Sequence, residues 1–140
     1  MSRCVFCSIA DSELDALVVL KDDVALGFLD HRPLFKGHCL LAPRVHVETL
    51  PDLPGDLVGP FFARVQLLAG AVERALEADG TFVAINNKVS QSVAHLHVHV
   101  VPRRRKDGLR GFFWPRTRYA SDGEMAEYAS RIEAAIGEPA

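Results

Sequence analysis

No stretch of 18 consecutive apolar residues occurs in this chain, so no membrane-spanning helix is expected. The opening Met1-Ser2-Arg3-Cys4 lacks the apolar run of a secretory leader, and a cytoplasmic protein is the expectation. Charge of neither sign prevails. The formal net charge is -2 over 140 residues, so no bulk charge draws the chain to nucleic acid or to an anionic membrane. Cysteine is scarce: Cys4, Cys7 and Cys39 are an odd count without a leader, which argues against a disulfide framework. Internal repeats, low-complexity segments and linkers are missing as well. What is present is ordinary for a globular protein, with 49% hydrophobic and 24% charged residues. The length is that of one domain with a real core.

Histidine is the exception. Three of the six histidines stand in His95-Leu96-His97-Val98-His99, followed by Val100, Val101 and Pro102. In an extended strand, residues i, i+2 and i+4 share a face. Three imidazoles therefore line one side, and Leu96, Val98 and Val100 the other. Histidine is uncommon in cores and titrates near neutral pH, so this row is the main functional signal.

The surrounding chain reads as an α+β domain. Short β-prone runs occupy 16–20, 24–29 and 38–42. Leu57, Phe61, Val65, Leu68, Val72 and Leu76 recur at helical spacing, predicting one long helix over 56–78 with Gly80 as its stop. A strand at 81–86 and the histidine strand at 93–101 follow. Ser121-Asp122-Gly123-Glu124 matches a capping box and opens a C-terminal helix to Ile136. Strands grouped around one helix predict a mainly antiparallel sheet of about five strands.

The histidine face has three readings: a solvated polar row, a catalytic zinc site, or a nucleophile acting on phosphorus. Three histidines and a water can make a hydrolytic zinc centre, but one ion would have to draw ligands from about 13 Å of strand. A neutral imidazole is a competent nucleophile, and a neighbouring imidazolium can hold a phosphate oxygen or protonate a leaving group. Asn86, Asn87, Gln91 and Ser92 crowd the preceding turn and offer donors to an anion. Cys4 and Cys7 are either a redox pair or half of a zinc site. Nothing precedes them to make the strand–helix setting of a thioredoxin-type pair. Cys39, inside an apolar run, reads as a small core residue.

The run His95-Leu96-His97-Val98-His99-Val100-Val101 resembles the signature of the histidine-triad (HIT) family. The likeness extends to Gln91-Ser92-Val93 and to Phe28-Leu29-Asp30-His31-Arg32-Pro33 through Lys36-Gly37-His38. It continues in Leu40 to Val47 and the opening Cys4-Val5-Phe6-Cys7-Ser8-Ile9. It covers residues 4–102, leaving 103–140 as a tail with its helix, within a single domain of 1–140. The resemblance implies a HIT-like fold. It also implies cleavage at the α-phosphate of a nucleoside phosphoramidate or dinucleoside polyphosphate, releasing a nucleoside monophosphate. By matching position, His97 attacks phosphorus to form a nucleotidyl-histidine, His99 contacts the phosphate, and Gln91 and Ser92 bind phosphate and leaving group. Asp30 holds the ribose hydroxyls, and a carboxylate can accept from both. His38 supports the triad, and Val5, Phe6, Ile9, Phe28 and Leu29 wall the base of a purine nucleotide. The resemblance further implies a structural zinc held by Cys4, Cys7, His46 and His95, a closed Cys2His2 set. No cofactor is needed for the chemistry itself.

The chain departs from the family pattern in places. The 87–92 turn is short, and Ser90 replaces a usual glycine before Gln91. Either Asn86 or Asn87 faces the site, with Asn87 favoured. His31 stands beside Asp30 where an apolar residue is common, as a substrate contact or a solvent-facing loop residue. Arg103-Arg104-Arg105-Lys106 is a solvated face or a steering patch for polyphosphate. The aromatic segment around Trp114 suits an interface. The resemblance implies a homodimer whose long helices and histidine strands pack together, with Trp114 either near the partner's site or folded back onto its own domain. Two alternatives of other classes remain: a non-catalytic nucleotide-binding regulatory module, and a hydrolase with zinc on the histidine row.

Overall fold

The computed structural model describes residues 4–110 and 115–137. Trp114 and its neighbours 111–113 lie outside these residues, as does any role for them. The chain divides into two compact units, Met1–Asp107 and Gly108–Ala140. The first unit holds α1 (Val5–Ala10), β1 (Val18–Lys21), β2 (Ala25–Leu29), β3 (Cys39–Pro43), α2 (Gly55–Ala75), β4 (Gly80–Ile85) and β5 (Val98–Arg103), with a short 3-10 turn at Leu50–Asp52. The second holds α3 (Asp122–Ile136). The five strands form one antiparallel sheet in the order β1-β2-β3-β5-β4. The α+β class and the five-strand antiparallel sheet are as the periodicities predict. No described helix is long and apolar enough to cross a membrane.

Strand alternation divides the core in two. One face of the sheet sends Ala25, Cys39, Leu41, Val98 and Val100 against Phe61, Val65, Leu68 and Val72 of α2. Of the predicted stripe, Phe61, Val65, Leu68 and Val72 are buried, Leu57 is half-buried and Leu76 is exposed beyond the helix end; burying each of those four side chains contributes about 1.5–3 kcal/mol. The opposite face sends Leu26, Phe28, Leu40 and Ala42 against Phe6, Ile9 and Ala10 of α1. His99 pairs with Leu40 and so belongs to this second face. Cys39 is buried, its thiol donating to the Gly37 carbonyl at 3.3 Å, and burial raises its pKa. It is the core residue expected.

One element is added and two local expectations are corrected. Six residues of α1 are too few to show a helical period and too few to be stable alone; burial of Phe6, Ile9 and Ala10 against the sheet holds them. Helix α2 ends at Ala75, and Glu77, at φ 51°, takes the left-handed turn expected of Gly80. Gly80 instead begins β4. The histidine strand starts at Val98 rather than near residue 93. Both neighbouring ladders end there, at Leu41↔Val98 and Ile85↔Val98. The Pro43 carbonyl, which could extend the ladder, instead accepts from the His95 ring at 2.8 Å. Residues 95–97 keep the alternation off the ladder, tied by Leu96 N–H to the Val47 carbonyl at 2.7 Å.

In the second unit, Ser121 caps α3 by accepting from the Glu124 N–H at 3.1 Å. Glu124 reaches back to accept from the Ala120 N–H at 2.9 Å, which is the capping box one residue early.

Candidate active site

His97 is 4% exposed, and its ring is fixed from two sides. Its Nδ1 lies 2.8 Å from the His95 carbonyl. A carbonyl only accepts, so Nδ1 carries the proton and Nε2 keeps its lone pair. Phe6 meets the ring edge-on, with centroids 5.0 Å apart and planes at 86°. The result is an oriented imidazole whose neutral form presents a bare Nε2, which suits a nucleophile.

A second chain of bonds sets His99. The Leu34 N–H donates to His38 Nδ1 at 3.1 Å, so the proton of the neutral His38 ring is on Nε2. That nitrogen donates to His99 Nδ1 at 3.0 Å, which leaves His99 with its proton on Nε2. Burial, then the imidazoles of His97 and His38, push the His99 pKa down to about 4, against an opposing pull from Asp30. Burial also lowers the His38 pKa, and Asp30 partly offsets this. His99 is therefore a neutral hydrogen-bond donor near neutral pH, not the imidazolium the sequence allowed. The rings of His97 and His99 stand 5.1 Å apart. Asp30 accepts from the Arg32 N–H at 2.9 Å, and its other oxygen lies 3.7 Å from His38 Nε2. Asp30, His38 and His99 are close enough to hold an ion, but the proton on His38 Nε2 blocks that ligand.

His95 faces elsewhere. Its Nε2–H is spent on Pro43, which leaves the Nδ1 lone pair aimed at Cys4 Sγ, 3.4 Å away, and Cys7 Sγ, 3.7 Å away. His46 Nδ1 lies 3.4 Å from Cys7 Sγ, and the ligand atoms of all four residues fall within 4.8 Å of one another. Tetrahedral zinc with bonds of about 2.0–2.3 Å places ligands roughly 3.5 Å apart. Two imidazole lone pairs and two thiols at these spacings fit that ion, and the Pro43 carbonyl orients one of them as an outer-shell partner. Among the described residues, the ligand atoms close enough to share an ion put His95 with Cys4, Cys7 and His46, and His99 with Asp30 and His38, so the three triad rings do not meet at one point. A single ion across the histidine row does not fit.

Beside the triad lies a pocket of about 560 Å³, lined by Val5, Ile9, Phe28, Leu29, Asp30 and His31 among others. His31 thus borders a cavity. Phe6 packs on Phe28, His95 and His97 instead of lining that pocket. Leu14, Asp15, Ala16 and Leu17 also line it. Sequence reading missed them, since nothing local relates that loop to Phe28.

The polar turn is tied to the chain around residue 49. Gln91 donates to the Glu48 carbonyl at 2.6 Å and accepts from the Lys88 N–H at 2.8 Å. Asn87 accepts from the Leu50 N–H at 2.9 Å. Gln91 keeps one N–H and Asn87 its amide group for a ligand; Ser92 is exposed. Of the basic run, Arg103 forms a two-point pair with Asp107 and Arg104 donates to the Leu76 carbonyl. These two arginines hold loops together at the far end of β5.

Residues 11–106 match the profile of the HIT domain. The chain belongs to the HIT-domain family. Among curated HIT relatives, adenylylsulfatase HINT3 of Arabidopsis thaliana is 35% identical over 108 residues, which are 76% of this chain and 55% of that protein. The chain thus spans about half the length of that relative. Adenosine 5'-monophosphoramidase HNT1 of Saccharomyces cerevisiae is 33% identical, over 77% of this chain and 68% of that one. Among solved HIT structures, a family member from Bacillus subtilis superposes with a TM-score of 0.87 at 28% identity, covering 99% of this chain and 100% of that one. A Zn-bound histidine triad family protein from Mycobacterium smegmatis has a TM-score of 0.71 at 35% identity, covering 96% and 97%.

Proposed function

We propose that this HIT protein cleaves at the α-phosphate of a purine nucleoside phosphoramidate or dinucleoside polyphosphate. The observation that carries the reading is the fixed tautomer of His97, with Nδ1–H on the His95 carbonyl and Nε2 bare. Nε2 attacks phosphorus, and the bond to the leaving amine or phosphate breaks with its electron pair. The leaving group takes up a proton. Water then attacks phosphorus, the P–N bond to His97 breaks, and a nucleoside monophosphate departs. The His99 Nε2–H, backed by His38, donates to a phosphate oxygen during both steps, with Ser92, Gln91 and Asn87 as further donors. Asp30 accepts from the ribose hydroxyls, and the adjoining pocket takes the base. Relatives named adenylylsulfatase and adenosine monophosphoramidase support this class of reaction.

Cys4, Cys7, His46 and His95 would hold zinc, which supplies a structural tie when bound and leaves no open position for water. The Zn-bound neighbour from Mycobacterium smegmatis supports this. We also propose a homodimer, for which the exposed Val58 and Leu67 on α2 and Val83 on β4 are the available apolar contacts.

The test is release of AMP from adenosine 5'-phosphoramidate by wild-type protein and by His97→Ala. Loss of at least about a thousandfold in kcat with the fold intact is expected. Turnover surviving in the variant removes His97 as nucleophile. Tight nucleotide binding without turnover of phosphoramidate or dinucleoside polyphosphate favours the regulatory module.

A further inference from the structure

The strand order sets a direction across the pocket end of the sheet. His99 lies on β5, His38 just precedes β3, and Asp30 just follows β2, its N–H donating to the His38 carbonyl at 2.9 Å. Beyond β2 comes β1. The paired register ends at Val18↔Phe28, where the Leu29 N–H donates to the Leu17 carbonyl at 3.0 Å. Asp15 and His31 lie just beyond it on the two segments. Both are exposed, and both line the pocket. Neighbouring strands lie about 4.8 Å apart. A nucleotide with its phosphate at the triad and its ribose at Asp30 therefore carries its base toward β1, over Phe28 and Leu29.

Apart from Asp30, Asp15 and His31 are the only described lining residues with polar side chains. A carboxylate offers acceptors only, and an imidazole offers one N–H in either neutral tautomer. Guanine presents two adjacent donors, N1–H and the 2-amino group, next to the O6 acceptor. That edge complements a carboxylate flanked by an imidazole N–H. Adenine presents its N1 lone pair where guanine has N1–H, so it sets acceptor against acceptor. A charge-assisted two-point bond is among the stronger polar contacts.

We propose that Asp15, with His31 of the same pocket, reads the Watson–Crick edge of guanine and makes this HIT protein prefer guanosine over adenosine nucleotides. The proposal rests on the nucleotide reading above and names the base of that same site.

The experiment is calorimetric titration of the full chain with GMP and with AMP, alongside hydrolysis of the guanosine and adenosine 5'-phosphoramidates. Wild-type protein and Asp15→Asn are compared. Asp15 is exposed, so the variant keeps the fold, which circular dichroism checks. The expected result is a GMP-over-AMP preference of roughly tenfold or more, shrinking toward unity in Asp15→Asn because an amide places a donor against N1–H or the 2-amino group. Equal handling of the two nucleotides by wild-type protein overturns the proposal and leaves the nucleotide reading intact. So does a preference that Asp15→Asn does not change. Failure to bind or turn over either nucleotide overturns both.

Discussion

His97 donates its ring Nδ1–H to the backbone carbonyl of His95 at 2.8 Å, while the ring of His95 turns its own Nδ1 to Cys4 and Cys7. One residue therefore orients the candidate nucleophile through its backbone and joins the Cys2His2 set through its side chain. Anything that loosens the His95 ring also loosens the carbonyl that fixes the His97 tautomer.

Metal removal should therefore act on stability first and on turnover with it. Purified protein should hold about one zinc per chain. Chelation, or Cys4→Ser, should lower unfolding stability by roughly 2–5 kcal/mol and reduce kcat in parallel. Elemental analysis with denaturant unfolding checks this. Protein that lacks zinc yet is fully stable would sink the metal reading.

His38→Phe keeps a ring in the cavity but removes both the acceptor for Leu34 and the donor to His99. His99 then loses the bond that fixes its tautomer. About a tenfold fall in kcat is expected, with a KM change of less than twofold, because His38 acts through His99. His38→Gln, which can restore a donor, should recover part of the loss. Equal activity in wild type and His38→Phe would show that the relay does not matter.

Acid should destabilise the protein partly through His99. Its pKa is about 4 in the fold against 6.5 as the ordinary value. The unfolded chain therefore binds more protons between these limits, and stability rises with pH across them. The contribution is complete above about pH 6.5 and is lost as pH falls toward 4. After allowance for the partial exposure of the ring it is on the order of 1–2 kcal/mol. Denaturant midpoints measured across this range should fall less steeply in His99→Gln. An unchanged slope would assign the acid response to other groups.

Ser90 sits at φ 60° in the left-handed region, beside Lys88 at 69°. A side chain there costs about 1–2 kcal/mol relative to an ordinary conformation. This explains why a glycine suits the position before Gln91. Ser90→Gly should stabilise the protein by up to about 1 kcal/mol, the gain being trimmed by glycine's greater freedom in the unfolded chain. Thermal or denaturant unfolding reads the effect, and a destabilised variant would show that the Ser90 side chain has an unrecognised role.

Much of the fold was legible because its signals are local. Phe61, Val65, Leu68 and Val72 announce α2 and its buried face by spacing alone. The alternation of His95 to Val100 separates polar from apolar faces even where residues 95–97 leave the ladder. Helix α1 and the left-handed turn at Glu77 were not legible. The first is held by sheet contacts, and the second is a stop at a residue type that does not advertise one. In the site, the identity of the histidine row was plain, but its protonation was not. The lowered pKa of His99 comes from burial among other imidazoles, which is invisible in one dimension.

By itself, then, the sequence determined which side chains lie on which face of each element, because a repeat of 2 or 3.6 residues is written in neighbouring positions. Only the tertiary structure decided what each histidine does. Cys4 meets His95 across 91 residues of sequence, Pro43 takes the His95 ring proton, and Leu34 sets the tautomer of His38. An imidazole has two equivalent choices for its proton, and the groups that choose arrive from distant segments only when the sheet closes.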